Sequence, residues 1–418
     1  MEILIRAAKV IDPSSPHHNS TKDILIQDGV IKKIKNQISF DGTVIEHENL
    51  MVSPGWFDIR AHFTDPGKEH KEDLESGSAA AAAGGFTDVL LLPNTDPVTS
   101  NKNSISYYLK WNKSADVNLH PAAAVTLGCQ GKELTEMIDL HTAGAVAFTD
   151  GTEPIWHTDI LLKSLQYLQT FDGVLINRPE DRMLTAFGTM HEGQVSTVLG
   201  MKGMPELAEE VMIDRDLELL KYAGGKIHFS LISSAGAVER IKKAKAEGLK
   251  VTADVGIHHL IFTDESLMDY DTSFKVNPPF RTEKDRLALI KGLEDGTIDA
   301  IVSDHQPHDQ ESKQLEFDLA DFGIIGLQTF YPALLKALGK RTEECIERIT
   351  ATPRKILGLK ENSVVEGGDC LTLFSPQITW SYNGKTNKSK SVASPFFNQE
   401  MTGKVIGIIN NGRFISND

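Results

Sequence analysis

The residues of this chain that could do chemistry fall at a few short sites, and the first pair already pulls in two directions. Arg60 and His62 lie in Pro54-Gly55-Trp56-Phe57-Asp58-Ile59-Arg60-Ala61-His62-Phe63-Thr64-Asp65-Pro66-Gly67. Two residues apart on a strand, they project from one face. His62 is a competent metal ligand. Arg60 is not, because a guanidinium stays protonated and has no lone pair to give. Further on stand Phe148-Thr149-Asp150-Gly151 and Ser303-Asp304-His305-Gln306-Pro307-His308. Carboxylates with neutral imidazoles hold a divalent cation that ionises water. Carboxylates beside guanidinium groups form charge-assisted pairs instead.

These groups need a scaffold, and the hydrophobic pattern supplies one. Between residues 54 and about 340, eight apolar runs alternate with helix-like stretches. The runs are Trp56–His62, Thr87–Pro93, Leu119–Leu127, Ala143–Phe148, Gly173–Asn177, Lys226–Ile232, Lys250–Gly256 and Asp299–Ser303. Met204–Ala223, Ala237–Glu247 and Glu283–Glu294 read as helices, with Ala237, Ile241 and Ala244 on one face. Eight βα units in series predict an α/β fold, a (β/α)8 TIM barrel. An open doubly wound sheet satisfies the same alternation. The flanks read as short strands: Glu2–Ile5, Asp23–Ile26 and Val30–Ile34 around the Asp28-Gly29 turn, then Cys370–Phe374 and Val405–Ile409. Both termini are therefore expected to pair into one small β-sandwich. The division is 1–53 and 359–418 for the sandwich and 54–358 for the barrel. Ala79–Ala83 before Gly84-Gly85 reads as a helix packed closely on the barrel.

Composition bounds the partners. The 418 residues are 40% hydrophobic and 24% charged, with a formal net charge of −15. That balance argues against nucleic acid or an anionic membrane as the main partner. No stretch approaches the roughly 20 apolar residues of a membrane span. Met1–Arg6 alternates like a strand, without a signal-peptide layout. Cys129, Cys345 and Cys370 are too scattered for a disulfide framework or a metal knuckle. A cytoplasmic protein is expected.

Taken together, the ends of the barrel strands resemble a dihydroorotase of the bacterial, long-chain type, in the amidohydrolase superfamily. The resemblance is carried by His62-Phe63-Thr64-Asp65-Pro66-Gly67, Pro93-Asn94-Thr95, Phe148-Thr149-Asp150-Gly151 and Glu192-Gly193. It continues through Lys275-Val276-Asn277-Pro278-Pro279-Phe280-Arg281, Ser303–His308 and Phe322-Gly323-Ile324-Ile325-Gly326-Leu327-Gln328-Thr329. It implies reversible closure of N-carbamoyl-L-aspartate to dihydroorotate in pyrimidine synthesis. One or two zinc ions would activate water, and an aspartate ending the eighth strand would move the proton. It also implies a homodimer.

Carried over residue by residue, the metal-ligand pattern is depleted. Its first strand becomes Arg60 and His62. The second of its paired aspartates falls on Gly151, unless a one-residue gap brings Asp150 there. Its strand-five histidine becomes Arg178 and its strand-six histidine Leu231. Asp304 is intact, so His62 and Asp304 are the clear remnants. No lysine stands where a carbamylated bridging ligand belongs. His228, three residues from Leu231, is expected on the opposite face, and His258 and His259 follow strand seven. Without metal, Arg60 and Arg178 are expected to neutralise Asp150 and Asp304 as ion pairs, or else to swing out to solvent. Asn94, Asn277 and His308 match substrate-contacting positions. Asn94 and Asn277 also suit turns, and His308 could bond the loop Asp309–Lys313. The arginine that grips the substrate carboxylate becomes Thr64.

The sequence therefore points first to a dihydroorotase-like protein without metal or catalysis, acting as a structural partner. The resemblance implies aspartate transcarbamoylase as that partner. The alternatives are an active cyclic amidohydrolase with a mononuclear zinc site, and a sensor that keeps the pocket without chemistry.

Overall fold

The computed structural model describes residues 2–417. Eight parallel strands form one sheet in sequential order: Trp56–Ala61, Phe86–Leu91, Asn118–Ala123, Ala147–Phe148, Leu175–Asn177, Ile227–Phe229, Val251–Gly256 and Ala300–Val302. A parallel bridge between Ala61 and His305 closes the ring, with His62 N donating to His305 O at 2.9 Å. The open doubly wound sheet is thereby set aside. All eight anticipated strands are present, several of them shorter than the apolar runs. The fourth starts at Ala147 rather than Ala143, because Met137–Ala143 is a helix capped by left-handed Gly144. The sixth stops at Phe229, since Leu231 adopts φ 57 and breaks the alternation.

The barrel interior is filled by Phe57, Ile59, Leu90, Ala122, Ile176 and Val302, and Leu357 packs against the same cluster. The outer faces bury apolar stripes against the surrounding helices. In Ala235–Ala246, for example, Ala237, Ile241 and Ala244 are buried. Its N-cap Ser234 accepts from Ala237 N, satisfying one of the helix's free donors. Helix Leu74–Gly84 packs so closely that a Cβ on Gly84 would stand 2.1 Å from Leu327 O.

Both termini contribute to a second eight-stranded sheet. Glu2–Val10 pairs with Thr21–Gln27 and lies parallel to Met51–Pro54, which in turn pairs with Leu371–Tyr382. Gln399–Asn410 and Arg413–Ser416 complete the far end. Asp28 and Gly29 both have positive φ, as a two-residue hairpin requires. The sheet curls into a sandwich, because Ile24, Ile26 and Ile31 from one end share a core with Ile406 and Ile409 from the other. The three cysteines are buried free thiols. Among the described residues no helix is long and apolar enough to cross a membrane.

Candidate active site

The carboxyl ends of the barrel strands surround a cavity of about 430 Å³. Arg60, at the end of the first strand, is only 1% exposed. Its Nε donates to Asp304 Oδ1 at 3.0 Å, and its Nη1 lies 3.4 Å from both Gly151 O and Ser230 Oγ. Ser230 Oγ donates to Asp254 at 2.9 Å, and Asp254 also meets His228 Nε2 at 2.8 Å. A buried polar chain thus runs from Arg60 into the barrel. Burial raises the pKa of Asp304, and Arg60 and Gln306 oppose that rise.

His228 corrects a sequence expectation. It shares Asp254 with Ser230, whose hydroxyl in turn lies near Arg60, so it is not turned away from the site as simple alternation requires. The left-handed backbone at Leu231 is the reason. His228 is nevertheless committed to Asp254 and Thr252. Leu231 itself is buried among the apolar side chains of the barrel interior.

The expected pairing of Arg178 with Asp150 is absent. Arg178 bonds Glu180, two residues along the chain, and its Nη2 donates to Thr152 O at 2.7 Å. Asp150 is fully occupied elsewhere: Thr126 N donates to Oδ1 at 2.9 Å and Thr126 Oγ1 to Oδ2 at 2.5 Å. Burial pushes the Asp150 carboxyl up to about 6 despite those bonds. Glu180 was not singled out from the sequence. Burial raises its pKa, but Arg178, Thr185 and Asn277 outweigh that and hold it below the usual value.

Asn94 does not line the cavity. Its Nδ2 donates to Asp150 O and its Oδ1 accepts from Thr152 N, each at 2.9 Å, so the carboxamide straddles Gly151. A Cβ on Gly151, at φ +67, would stand 1.8 Å from Asn94 Oδ1. Asn277 does line the cavity, and its Nδ2 donates to Glu180 at 3.2 Å. His308 lines it too, but bonds Phe322 O at 2.8 Å and Lys71 Nζ at 3.0 Å rather than the Asp309–Lys313 loop. Its Nε2 is thereby a donor and its Nδ1 an acceptor. Thr64 Oγ1 turns back to Lys68 O and Glu72 O. His258 stacks against Phe262 and Phe396, and His259 Nε2 bonds Pro278 O at 2.9 Å. The run Lys68-Glu69-His70-Lys71, immediately after the first strand, is the sequence signal that could have shown how basic this mouth is.

A family model described as Dihydro-orotase-like matches residues 49–237. A dihydroorotase from Pelotomaculum thermopropionicum is 39% identical, covering 100% of this chain and 99% of its own. One from Syntrophus aciditrophicus is 38% identical over 99% of both. The chain belongs to the dihydroorotase family. Among solved structures, L-hydantoinase (dihydropyrimidinase) from Arthrobacter aurescens superposes with a TM-score of 0.85 at 23% identity. The match covers 99% of this chain and 96% of that one, and it shows a shared fold.

The zinc that the dihydroorotase family implies does not fit the side chains present. Among the described residues no three His, Cys, Asp or Glu side chains form a group able to hold a metal ion. His62 Nε2 is bonded to Asn94 O at 2.8 Å. Burial lowers the His62 pKa to about 4, with Arg60, Lys68 and Lys71 contributing, and the same positive field opposes an incoming cation. Asp304 and Asp150 already accept hydrogen bonds from protein donors.

Proposed function

We propose that this member of the dihydroorotase family carries no catalytic metal and serves pyrimidine biosynthesis as a structural partner. The observation that carries the reading is the buried Arg60–Asp304 pair, a guanidinium seated where the family pattern has a metal-binding histidine. Three further ligand positions are Gly151, Arg178 and Leu231, none of which supplies a lone pair suited to zinc. The partner is aspartate transcarbamoylase, a choice that rests on the family resemblance, and the chain itself forms a homodimer. The test is metal analysis of protein purified without chelators, with turnover assayed in both directions. No stoichiometric zinc and no turnover are expected, together with co-purification of the transcarbamoylase. Stoichiometric zinc with measurable ring closure overturns the reading.

A second reading is an active dihydroorotase with a mononuclear site on His62, Asp304 and Asp150. Full-length identity to relatives named dihydroorotase favours it. Under that reading Asp304→Ala abolishes a measurable activity; under the first there is none to lose.

A further inference from the structure

We propose that a second cavity, on the seam between the terminal sheet and the outer layer of the barrel, is a binding site for a nucleoside phosphate. It shares no lining residue with the cavity at the barrel mouth, so the proposal stands whether or not a metal binds there.

The cavity has a volume of about 250 Å³. Trp380 from the strand Leu371–Tyr382 and Pro332 from the helix Phe330–Leu338 give it apolar lining. Lys385, Lys388 and Lys404 supply three cations, and among the described residues no Asp, Glu or His lines it. In a chain of net charge −15, three ammonium groups around one small cavity make a local positive field that concentrates anions.

Two of these cations are available and held ready. Lys385 and Lys388 are exposed, and neither ammonium enters an ion pair or hydrogen bond among the described residues. The turn that carries them is fixed from within: Thr386 N donates to Asn383 O at 3.0 Å and Lys385 N to Asn383 Oδ1 at 2.9 Å. Gln328, from the run Phe322–Thr329, ties that turn to the barrel. Its Nε2 donates to Thr386 O at 2.8 Å and its Oε1 accepts from Lys388 N at 2.9 Å. One carboxamide thus grips the backbone between the two lysines. A turn pinned in this way has little backbone freedom left to lose when a ligand arrives.

Trp380 decides which anion fits. Its polar edge is engaged, with Nε1 donating to Gly403 O at 2.9 Å, and Tyr382 packs edge-on against it at 5.8 Å between ring centroids. What the half-buried indole offers the cavity is apolar ring surface. Such a ring stacks on any nucleobase, and lysine ammonium groups meet phosphate as point charges. A molecule carrying both a base and a phosphate is a nucleotide. The volume lies below the roughly 300–1,000 Å³ of larger ligand sites, which limits the ligand to a mononucleotide.

The experiment titrates the full chain calorimetrically, at constant sodium chloride, with UMP, AMP, uridine and ribose 5-phosphate. Saturable binding of UMP or AMP is expected. Uridine and ribose 5-phosphate, each presenting half of the ligand, should bind about tenfold more weakly. Lys385→Ala and Lys388→Ala should each weaken the nucleotide by about tenfold, the usual size of a lost charged contact. Both side chains are exposed, so thermal melts of the free variants should match the wild type. Lys68→Ala, in the barrel mouth, should leave nucleotide binding unchanged. Preference for UMP or AMP identifies the base. The proposal fails if neither nucleotide saturates, or if both lysine variants bind as the wild type does. It fails equally if Lys68→Ala abolishes binding, which puts the nucleotide in the barrel. Ribose 5-phosphate binding as tightly as the nucleotides removes Trp380 from recognition and overturns the assignment of a nucleotide.

Discussion

At the scale of single residues, Arg60 decides the character of the site, and its energetics are asymmetric. Arg60→Met leaves Asp304 buried without its counter-charge and is expected to destabilise the fold by about 3–5 kcal/mol. Arg60→Met with Asp304→Leu removes both charges and should recover most of that loss in urea denaturation. If the single variant is as stable as the wild type, the pair is not what holds these strand ends. Arg60→His, by contrast, should not restore stoichiometric zinc, because Gly151, Arg178 and Leu231 still contribute no ligand. Gly151→Asp meets Asn94 Oδ1 and a left-handed backbone, and should cost about 2 kcal/mol. Adding Asn94→Ala should relieve the steric share of that cost, read as a partial recovery of the denaturation midpoint. That Arg60, Gly151, Arg178 and Leu231 are unsuited to hold a metal is legible in the sequence, because residue type alone excludes Arg, Gly and Leu as zinc ligands. Where the arginines would turn was legible only in part: Arg60 meets Asp304 as expected, whereas Arg178 takes Glu180, two residues along the chain, and Asp150 is held by Thr126 from another loop.

The elements were more legible than the side chains they carry. All eight barrel strands announce themselves as apolar runs, since strands covered by helices on one side and a filled barrel on the other have little room for polar residues. Their ends are harder to read. Backbone turns such as the one at Leu231 have no hydrophobic signature, and they decide whether His228 faces the site. The turn after the seventh strand gives a pH prediction. His258 is buried between Phe262 and Phe396 with Nε2 unpartnered, and burial lowers its pKa to about 3. Between that value and the unfolded one the unfolded state binds the extra proton, so stability contributed above pH 6.5 is lost as pH falls. The contribution lost by pH 5 is about 2 kcal/mol. His258→Phe should therefore gain on the wild type by about that amount between pH 7 and pH 5, measured by denaturation at each pH. A constant difference across that range would show that His258 is not the group responsible.

For the molecule as a whole, barrel and terminal sheet are expected to melt together. Trp56 packs against Phe330 and Tyr331 of the barrel's outer layer and, at 5.3 Å between ring centroids, against Phe374 of the sheet. Asn410 Nδ2 reaches back to Thr87 O at 3.0 Å and Asp116 O at 2.9 Å. Calorimetry should give one endotherm with matching calorimetric and van't Hoff enthalpies. Two resolved peaks would mean that these contacts do not couple the halves. That coherence bears on heredity through one small feature, the Asn94 carboxamide bridging the backbone on either side of Gly151. A lineage carrying this gene cannot place any side chain at 151 without colliding with Asn94. Changing codon 94 first strands two backbone groups for no benefit. The two positions are therefore tied to one another: neither can change its side chain without the other registering it.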